Sequence, residues 1–144
     1  YEEGMIDERL HISIGELDGI KEDLYPAPRD EIDTFVLGCP QFGLAEFERL
    51  YRSIRGRRIR NGKRIVVYTS RSLLQLLDEH KIRELREAGV EIYRDTCMVV
   101  TPLRSIGIER VGTDSGKAAH YIPKMSRIEA NLLPLDRIVD ICME

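Results

Sequence analysis

The sequence predicts an α/β fold of three layers, in which a mostly parallel sheet carries helices on both faces. Two observations lead to this prediction. Short, continuous apolar runs, typical of buried parallel strands, alternate with stretches whose apolar residues recur at helical spacing. Glycine and proline stand between several of these segments, as expected where loops join strands to helices. Strands that alternate with helices favour a parallel sheet covered on both sides.

Composition narrows the class of protein. The 144 residues are 42% hydrophobic, so we expect residues 1–144 to form a single domain with its own core. A net charge of -3 and a pI of about 5.7 argue against a nucleic-acid binder. No apolar run approaches the roughly 20 residues that cross a bilayer. The acidic start at Tyr1 does not resemble a secretory leader and predicts a fragment of a longer protein.

The chain has three cysteines, and none lies in a CxxC motif. This usage argues against a disulfide scaffold and favours the reducing cytoplasm.

The strands and helices can be assigned in chain order. Alternating apolar residues predict a half-exposed strand over residues 10–14, and continuous apolar runs predict buried strands at residues 34–37 and 65–68. A third and a fourth strand are predicted at residues 90–93 and 108–111. Helical spacing predicts a short helix near residues 17–24, followed by a linker at residues 26–28, and longer helices over residues 44–54, 70–89 and 134–142. Ser70 and Gly89 are the expected caps of the third helix, and a further helix begins at residues 118–122.

Three loops follow predicted strands and carry reactive side chains. Residues 38–42 contain Cys39, residues 95–98 contain Cys97, and residues 113–117 end in Lys117. Loops at the carboxyl ends of parallel strands gather in one crevice. We therefore expect two thiols and one ammonium group to lie beside a common cavity.

The cysteines allow several interpretations. A thiol near a helix N-terminus has a lowered pKa, so Cys39 is predicted to favour the thiolate that a metal requires. Each of Cys39 and Cys97 also fits the role of a small buried residue at a strand end. As a pair they could bind an iron–sulfur cluster or zinc, or form a redox couple. Cys142 lies on the apolar face of the last helix and is predicted to be a core residue.

The loop at residues 113–117 resembles a phosphate-binding P-loop but lacks its spacing. Gly112 and Gly116 enclose three residues instead of four, and Ala118 follows the lysine. Backbone N–H groups at a helix start, together with Lys117, still suit a carboxylate or phosphate. The alternative is an ordinary helix cap by Asp114 or Ser115 with a solvated lysine.

Other polar groups have less specific explanations. His120 could donate a proton or be structural, and His11 and His80 are predicted surface residues. The basic stretch at residues 55–64 could attract RNA or an anionic partner surface, or simply be solvated.

Three motifs together resemble the aconitase X family. They are Val-Leu-Gly-Cys-Pro at residues 36–40, Asp-Thr-Cys-Met-Val-Val at residues 95–100, and Thr-Asp-Ser-Gly-Lys-Ala-Ala-His-Tyr at residues 113–121. The resemblance runs from about residue 32 to residue 121 and corresponds to the C-terminal part of the family's large chain. Residues 1–30 match only loosely.

The resemblance implies a hydro-lyase. Archaeal members of this family include the large subunit of phosphomevalonate dehydratase, which converts (R)-5-phosphomevalonate to trans-anhydromevalonate phosphate, and bacterial relatives dehydrate cis-3-hydroxy-L-proline. It implies that Cys39 and Cys97, with a third cysteine outside this chain, hold a [4Fe–4S] cluster or, as in some relatives, a smaller one. Lys117 would bind the anionic hydroxy-acid substrate, with help from Ser115 and Gly116. A serine base would come from a small swivelling-domain subunit.

Two positions depart from the family pattern, which commonly has His after Gly-Cys-Pro and Ser two places later. Here these are Gln41 and Gly43.

The sequence leaves three functional hypotheses. The first is a fragment of a lyase that is inactive alone, and the second is a separate module that binds an anion or zinc. The third is an assembly element whose basic loop at residues 55–64 docks the small subunit.

Overall fold

The computed structural model describes residues 8–23 and 32–144. The elements, in chain order, are α1 (Ile14–Asp23), β1 (Thr34–Leu37), α2 (Leu44–Ile54), β2 (Arg64–Thr69), α3 (Arg71–Leu74), α4 (Glu79–Glu87), β3 (Glu91–Arg94), a 3₁₀ turn (Leu103–Ile106), β4 (Arg110–Thr113), α5 (Gly116–Ser126), β5 (Glu129–Leu132) and α6 (Leu135–Cys142). The predicted linker at residues 26–28 lies outside the described residues.

All five strands of the sheet are parallel, in the spatial order β3-β2-β1-β4-β5. Strand β1 is central: Phe35 is in register with Ile65 of β2 on one side and with Gly112 of β4 on the other. The chain winds from β1 outward to β3 and then returns across β1 to form β4. The winding therefore reverses between β1 and β4. In parallel α/β sheets, ligands bind beyond the carboxyl ends of the strands at such a point.

Helices cover both faces of the sheet, which confirms the predicted three-layer α/β fold. Phe35 and Leu37 of β1 face a core built with α2, α4 and α6. Val36, between them, faces a second core built with α5 and the 3₁₀ turn. Because β1 is buried on both faces, all four of its residues are apolar or small, and the sequence shows a continuous run instead of an alternation.

The four strands predicted at residues 34–37, 65–68, 90–93 and 108–111 are present, with shifted bounds in β2, β3 and β4. Strand β3 begins one residue later than predicted, and β4 covers residues 110–113 instead of 108–111. Ile108 is apolar for a different reason: it is buried in the second core, and its N–H bonds to the Leu103 carbonyl at 3.1 Å to close the 3₁₀ turn. Strand β5 was not predicted, because Glu129 and Asn131 interrupt its apolar pattern.

The half-exposed strand predicted over residues 10–14 is wrong. Residues 8–13 form no regular element, Leu10 and Ile12 are exposed, and Ile14 begins α1. The Ser13 side chain accepts from the Glu16 N–H at 3.2 Å, and the Glu16 carboxylate accepts from the Ser13 N–H at 2.7 Å. This reciprocal pair is a capping box, which starts a helix at this position. Alternation alone predicts a strand only where a neighbouring strand is available to pair with it.

The single helix predicted over residues 70–89 is two helices. Ser70 caps α3 as predicted, accepting from the Leu73 N–H at 3.1 Å. Asp78 then caps α4, accepting from the His80 N–H at 2.8 Å. Aspartate at such a position satisfies the free N–H groups of a new helix, so the chain restarts there.

No helix among the described residues is both long enough and apolar enough to cross a membrane.

Gly38, just after β1, provides a test of the packing at the carboxyl ends of the strands. Its φ is +97°, and a Cβ there would lie 2.2 Å from the Tyr68 carbonyl oxygen. Gly62 has a similar φ of +83°, but a Cβ at that position would meet nothing within 4 Å, so it is a matched control. We expect Gly38→Ala to lower the free energy of unfolding by about 2–5 kcal/mol, and Gly62→Ala by only about 1–2 kcal/mol. Equal losses in urea denaturation would contradict the close backbone contact.

Candidate functional site

The site forms at the carboxyl ends of β1, β3 and β4. The loops after β1 and β4 are neighbours, because these strands are adjacent in the sheet. The loop after β3 starts at the far edge and must return over β2 to reach them. Asp95 makes this turn with a φ of +57°, and its carboxylate accepts from the Arg71 N–H at 3.0 Å and from Arg71 Nε at 2.6 Å. The turn at Asp95 therefore redirects the chain toward the centre of the sheet.

Cys39 lies where the three loops meet. Its thiol is within hydrogen-bonding reach of the Cys97 and Ser115 side chains and lies in the electrostatic field of the Lys117 ammonium. The structure thus brings together the two thiols and the cation that the sequence placed on separate loops.

The predicted lowering of the Cys39 pKa is wrong. Burial raises the pKa of the Cys39 thiol, and the neighbouring Cys97 raises it further. Lys117 and Ser115 act in the opposite direction but do not outweigh the loss of hydration. The helix dipole contributes little, because α2 begins only at Leu44, five residues beyond the thiol.

Ser115 links two of the loops. It is the N-cap of α5, where its hydroxyl oxygen accepts from the Ala118 N–H at 3.2 Å, and the same hydroxyl donates to the Cys39 carbonyl oxygen. Of the two predicted caps, Ser115 therefore has this role. Gly116 and Lys117 follow in the first turn of α5, and both are exposed.

Cys97 is partly exposed, and the Val99 N–H points at its sulfur, with an N–Sγ distance of 3.4 Å. Cys142 is fully buried in the first core, as predicted, and burial raises its pKa to about 12. The third thiol is therefore a packing residue.

The two thiols fit an iron–sulfur cluster as part of its ligand set, but they do not complete that set. Thiolates are the protein ligands that hold such clusters. Within residues 8–23 and 32–144, no group of three or more His, Cys, Asp or Glu side chains is arranged to bind a metal ion. Cys39 and Cys97 would therefore need a further ligand from elsewhere.

The remaining predicted polar residues lie apart from this site. His120 is exposed on α5, where its Nε2 lies 2.6 Å from Lys124 Nζ and its ring contacts Tyr121. His11 and His80 are exposed, which confirms their prediction as surface residues.

Most cations of the basic stretch at residues 55–64 stabilise the chain's own fold. Arg57 and Arg60 donate to the carbonyl oxygens of the last two residues, at 3.2 and 2.7 Å. Lys63 pairs with Asp33 at 2.8 Å, and Arg64 pairs with Glu91 at 2.8 Å. The stretch leads into β2, which begins at Arg64, so it lies at the amino ends of the strands, whereas the thiols lie at the carboxyl ends.

A groove of about 900 Å³ is also separate from the thiols. It is open to solvent and lies between α3, α4 and the edge strand β3, lined in part by Arg71, Arg83, Arg86 and Arg94. None of the predicted site residues lines it, so its size does not identify it as the functional site.

The sequence offered Asp114 only as a possible helix cap and did not reveal its burial. Its carboxyl group is half-buried between Ser115 and β4, and burial raises its pKa to about 6, with a further increase from Glu46. No motif marks such a group, because its burial depends on how α2 packs near the loop.

Comparison with known proteins decides the family. Residues 32–144 match the family model described as the aconitase X third domain. The chain belongs to the aconitase X family. The phosphomevalonate dehydratase large subunit of Aeropyrum pernix is 39% identical over 137 residues, which are 93% of this chain and 33% of that protein. The cis-3-hydroxy-L-proline dehydratase of Hypocrea jecorina is 31% identical over 137 residues, 92% of this chain and 23% of that protein.

A solved structure of the aconitase X family shares the fold. The crystal structure of Thermococcus kodakaraensis aconitase X in its holo-form matches with a TM-score of 0.80 at 21% identity, over 93% of this chain and 35% of that one. The chain spans about a third of the length of the archaeal relatives that it matches. The resemblance inferred from the three motifs is thus confirmed at the level of family and fold.

The departure at position 43 has a local explanation in this aconitase X domain. Gly43 is the N-cap of α2, a position where a serine hydroxyl would accept from the helix N–H groups. Here the Glu46 carboxylate accepts from the Gly43 N–H at 2.6 Å and secures the first turn instead. A serine at this position would therefore have a helix-capping role. Gln41, the other departure, is exposed.

Removing the Lys117 charge is expected to raise the pKa of Cys39 further, because the ammonium favours the thiolate. In a chain labelled with ¹³C-cysteine, the titration midpoint of the Cys39 Cβ signal should move to higher pH in Lys117→Gln. Lys124→Gln, near the other end of α5, is the matched control and should leave the midpoint in place. An unchanged midpoint in Lys117→Gln would show that the ammonium does not act on this sulfur.

Asp114→Asn is expected to stabilise the chain at neutral pH. The folded-state pKa of about 6 exceeds the ordinary 3.8, so the folded state binds this proton more tightly. The stability that this proton contributes is fully present below the unfolded-state pKa and is lost as the pH rises through the folded-state pKa. Asparagine avoids that loss, so its free energy of unfolding should exceed that of wild type by about 2–3 kcal/mol near neutral pH. In urea denaturation, a difference that did not shrink toward about pH 4 would contradict this assignment.

Proposed function

We propose that the chain is the part of a hydro-lyase large chain that supplies two cluster-binding thiolates and a substrate-binding lysine. The observation that supports this most strongly is the meeting of Cys39, Cys97 and Lys117 at the point where the sheet reverses its winding. The names of the relatives, all dehydratases, support the same reaction class. Because the chain spans about a third of the archaeal relatives' length, we expect no dehydration by the chain alone.

The proposed substrate is (R)-5-phosphomevalonate, which loses water to give trans-anhydromevalonate phosphate. One phosphomevalonate dehydratase large subunit, that of Aeropyrum pernix, is 39% identical, whereas three others at 30–31% are as distant as two hydroxyproline dehydratases at 31% and 33%. The alternative substrate is cis-3-hydroxy-L-proline. Both carry a carboxylate, so a cation at the site suits either one.

Cys39 and Cys97 would ligate a [4Fe–4S] cluster together with a third cysteine from outside this chain. When bound, the cluster supplies an iron with an open coordination position, a Lewis acid for the substrate hydroxyl. Ligation requires the Cys39 thiol to lose its proton, and burial opposes that loss. Lys117 and Ser115 partly offset this opposition, so they favour loading of the site as well as substrate binding.

Lys117 would bind the anionic end of the substrate. It is exposed in the first turn of α5, where the free backbone N–H groups of the helix also attract anions. The Ser115 hydroxyl is already engaged by Ala118 and Cys39, so its part in substrate binding is to hold the loop in place. Gly116 leaves the backbone beside Lys117 open to a ligand.

The catalytic base would lie on a small swivelling-domain subunit. The names of the relatives, large subunits, imply a small subunit as partner. We place the assembly in the cytoplasm, where thiols remain reduced. The rival proposal, a separate module that binds an anion or zinc, uses the same three side chains but requires no third cysteine and no partner.

The test uses the complete large chain with its small subunit, prepared without oxygen. In Cys39→Ser and Cys97→Ser we expect the cluster's visible absorbance and bound iron to be lost, together with dehydration of phosphomevalonate. Cys142→Ala is the control, because it removes a cysteine from the core instead of the site, and it should retain the cluster. A normal cluster in both serine variants would contradict the ligand assignment.

Lys117→Met separates substrate binding from cluster loading. We expect this variant to load iron less readily, because the ammonium that favours the Cys39 thiolate is gone. In the fraction that does load, KM for phosphomevalonate should rise about tenfold or more, since a charge-assisted hydrogen bond is lost. Unchanged kinetics would refute the role of the lysine. Faster turnover of cis-3-hydroxy-L-proline than of phosphomevalonate by the unmodified enzyme would select the alternative substrate.

A further inference from the structure

We propose that Tyr68 and Thr101 are positioning residues that hold the Cys97 loop over the sheet by a relay of contacts, which runs from Tyr68 of β2 to Thr101 and, through a hydrogen bond, on to the Cys97 carbonyl. The inference deepens the proposed function, because it concerns one of the two thiols assigned there. It depends on contacts among side chains that no motif identified.

The loop needs an anchor, because its strand does not provide one. Cys97 follows the edge strand β3, yet its thiol reaches Cys39 beyond the central strand. Beneath the loop lies a cavity of about 370 Å³, lined by residues of β1 and β2 and by Thr96, Thr101 and Leu103. Met98, beside Cys97, packs in the second core and ties the loop to the sheet, while the cavity leaves the orientation of the Cys97 backbone to directed hydrogen bonds.

Thr101 closes the loop on Cys97. Its hydroxyl donates to the Cys97 carbonyl oxygen at 2.9 Å, and its N–H donates to the same oxygen at 3.1 Å. The Val100 N–H also points at this oxygen, at 3.3 Å. Three donors on one carbonyl hold the backbone of Cys97 in a single orientation.

Tyr68 connects this turn to the sheet. Its side chain is buried in β2 and lines the same cavity as Thr101, close to the Thr101 side chain. The Thr101 proton is directed at the Cys97 carbonyl, so Tyr68 supports Thr101 by contact. Burial raises the pKa of Tyr68, so its hydroxyl stays protonated. The Tyr68 ring stacks on Tyr93 of β3 at 6.0 Å, which limits its movement.

The relay also sets the environment of the sulfur. With the Cys97 carbonyl held, the Val99 N–H faces Cys97 Sγ at 3.4 Å. Hydrogen bonds to cluster sulfurs tune the reduction potential of a bound cluster. Loss of the Thr101 hydroxyl should therefore alter both the mobility of the thiol and the properties of anything bound to it.

The first test uses the reduced 144-residue chain and needs no cluster. Alkylation of each cysteine by iodoacetamide is followed by mass spectrometry in Thr101→Val, Thr101→Ser and Tyr68→Phe. We expect Thr101→Val to raise the rate at Cys97 about fivefold, as loss of one hydrogen bond frees the loop, while the rate at Cys39 changes less. Thr101→Ser keeps the hydroxyl and should restore the wild-type rate. Tyr68→Phe should raise it in the same direction.

Thr69→Val is the matched control. Thr69, the last residue of β2, also donates from its hydroxyl to a backbone carbonyl, but to that of Phe42 in the loop after β1, at 2.9 Å. It should lower stability without raising the Cys97 rate. An unchanged Cys97 rate in Thr101→Val, or an equal rise in Thr101→Val and Thr69→Val, would overturn the proposal, since either shows that no specific anchor exists.

The second test uses the holoenzyme and separates this inference from the proposed function. If a cluster is present, Thr101→Val should shift its reduction potential and Thr101→Ser should not. A changed alkylation rate with no cluster in the wild-type enzyme would retain the anchor and reject the proposed function. A wild-type cluster whose potential is the same in Thr101→Val would reject the effect of the relay on the sulfur.

Discussion

The site depends on one constraint: a loop that leaves the edge of the sheet must end at its centre. Strand order places β3 two positions away from β1, so Cys97 meets Cys39 only because the chain turns back at Asp95. The ion pair between Asp95 and Arg71 fixes the start of that return. The hydrogen bonds around the Cys97 carbonyl fix its end. Without this return, the chain would present two isolated thiols and no shared site.

Opposing electrostatic effects act on Cys39 where the three loops meet. Burial disfavours the Cys39 thiolate, and the Lys117 ammonium favours it, so the thiol remains protonated until a stronger partner for the sulfur arrives. Ser115 joins the two loops by capping α5 and bonding the Cys39 carbonyl at once. The same cation that helps the thiol to ionise is exposed to an anionic ligand. One charged side chain can therefore serve two steps that follow each other.

Much of this arrangement could be predicted from the sequence, for identifiable reasons. Strands buried on both faces leave continuous apolar runs, as in Thr34–Leu37, and parallel strands bring their carboxyl-end loops together whatever the loop sequences are. The raised pKa of Cys39 could not be predicted, because it depends on burial by residues distant in sequence. The contact between Tyr68 and Thr101 leaves no periodic pattern. Strand β5 could not be predicted, because polar residues interrupt the apolar run that marks a buried strand.

The most direct measurement asks whether Cys39 and Cys97 can bind one atom together. Phenylarsine oxide bridges two thiols that lie close to each other and binds single thiols weakly. We predict that the reduced chain takes up one equivalent, detected by intact mass, and that Cys39→Ser or Cys97→Ser abolishes uptake while Cys142→Ala does not. Uptake that survives either serine substitution, or no uptake by the unmodified chain, would contradict a shared site.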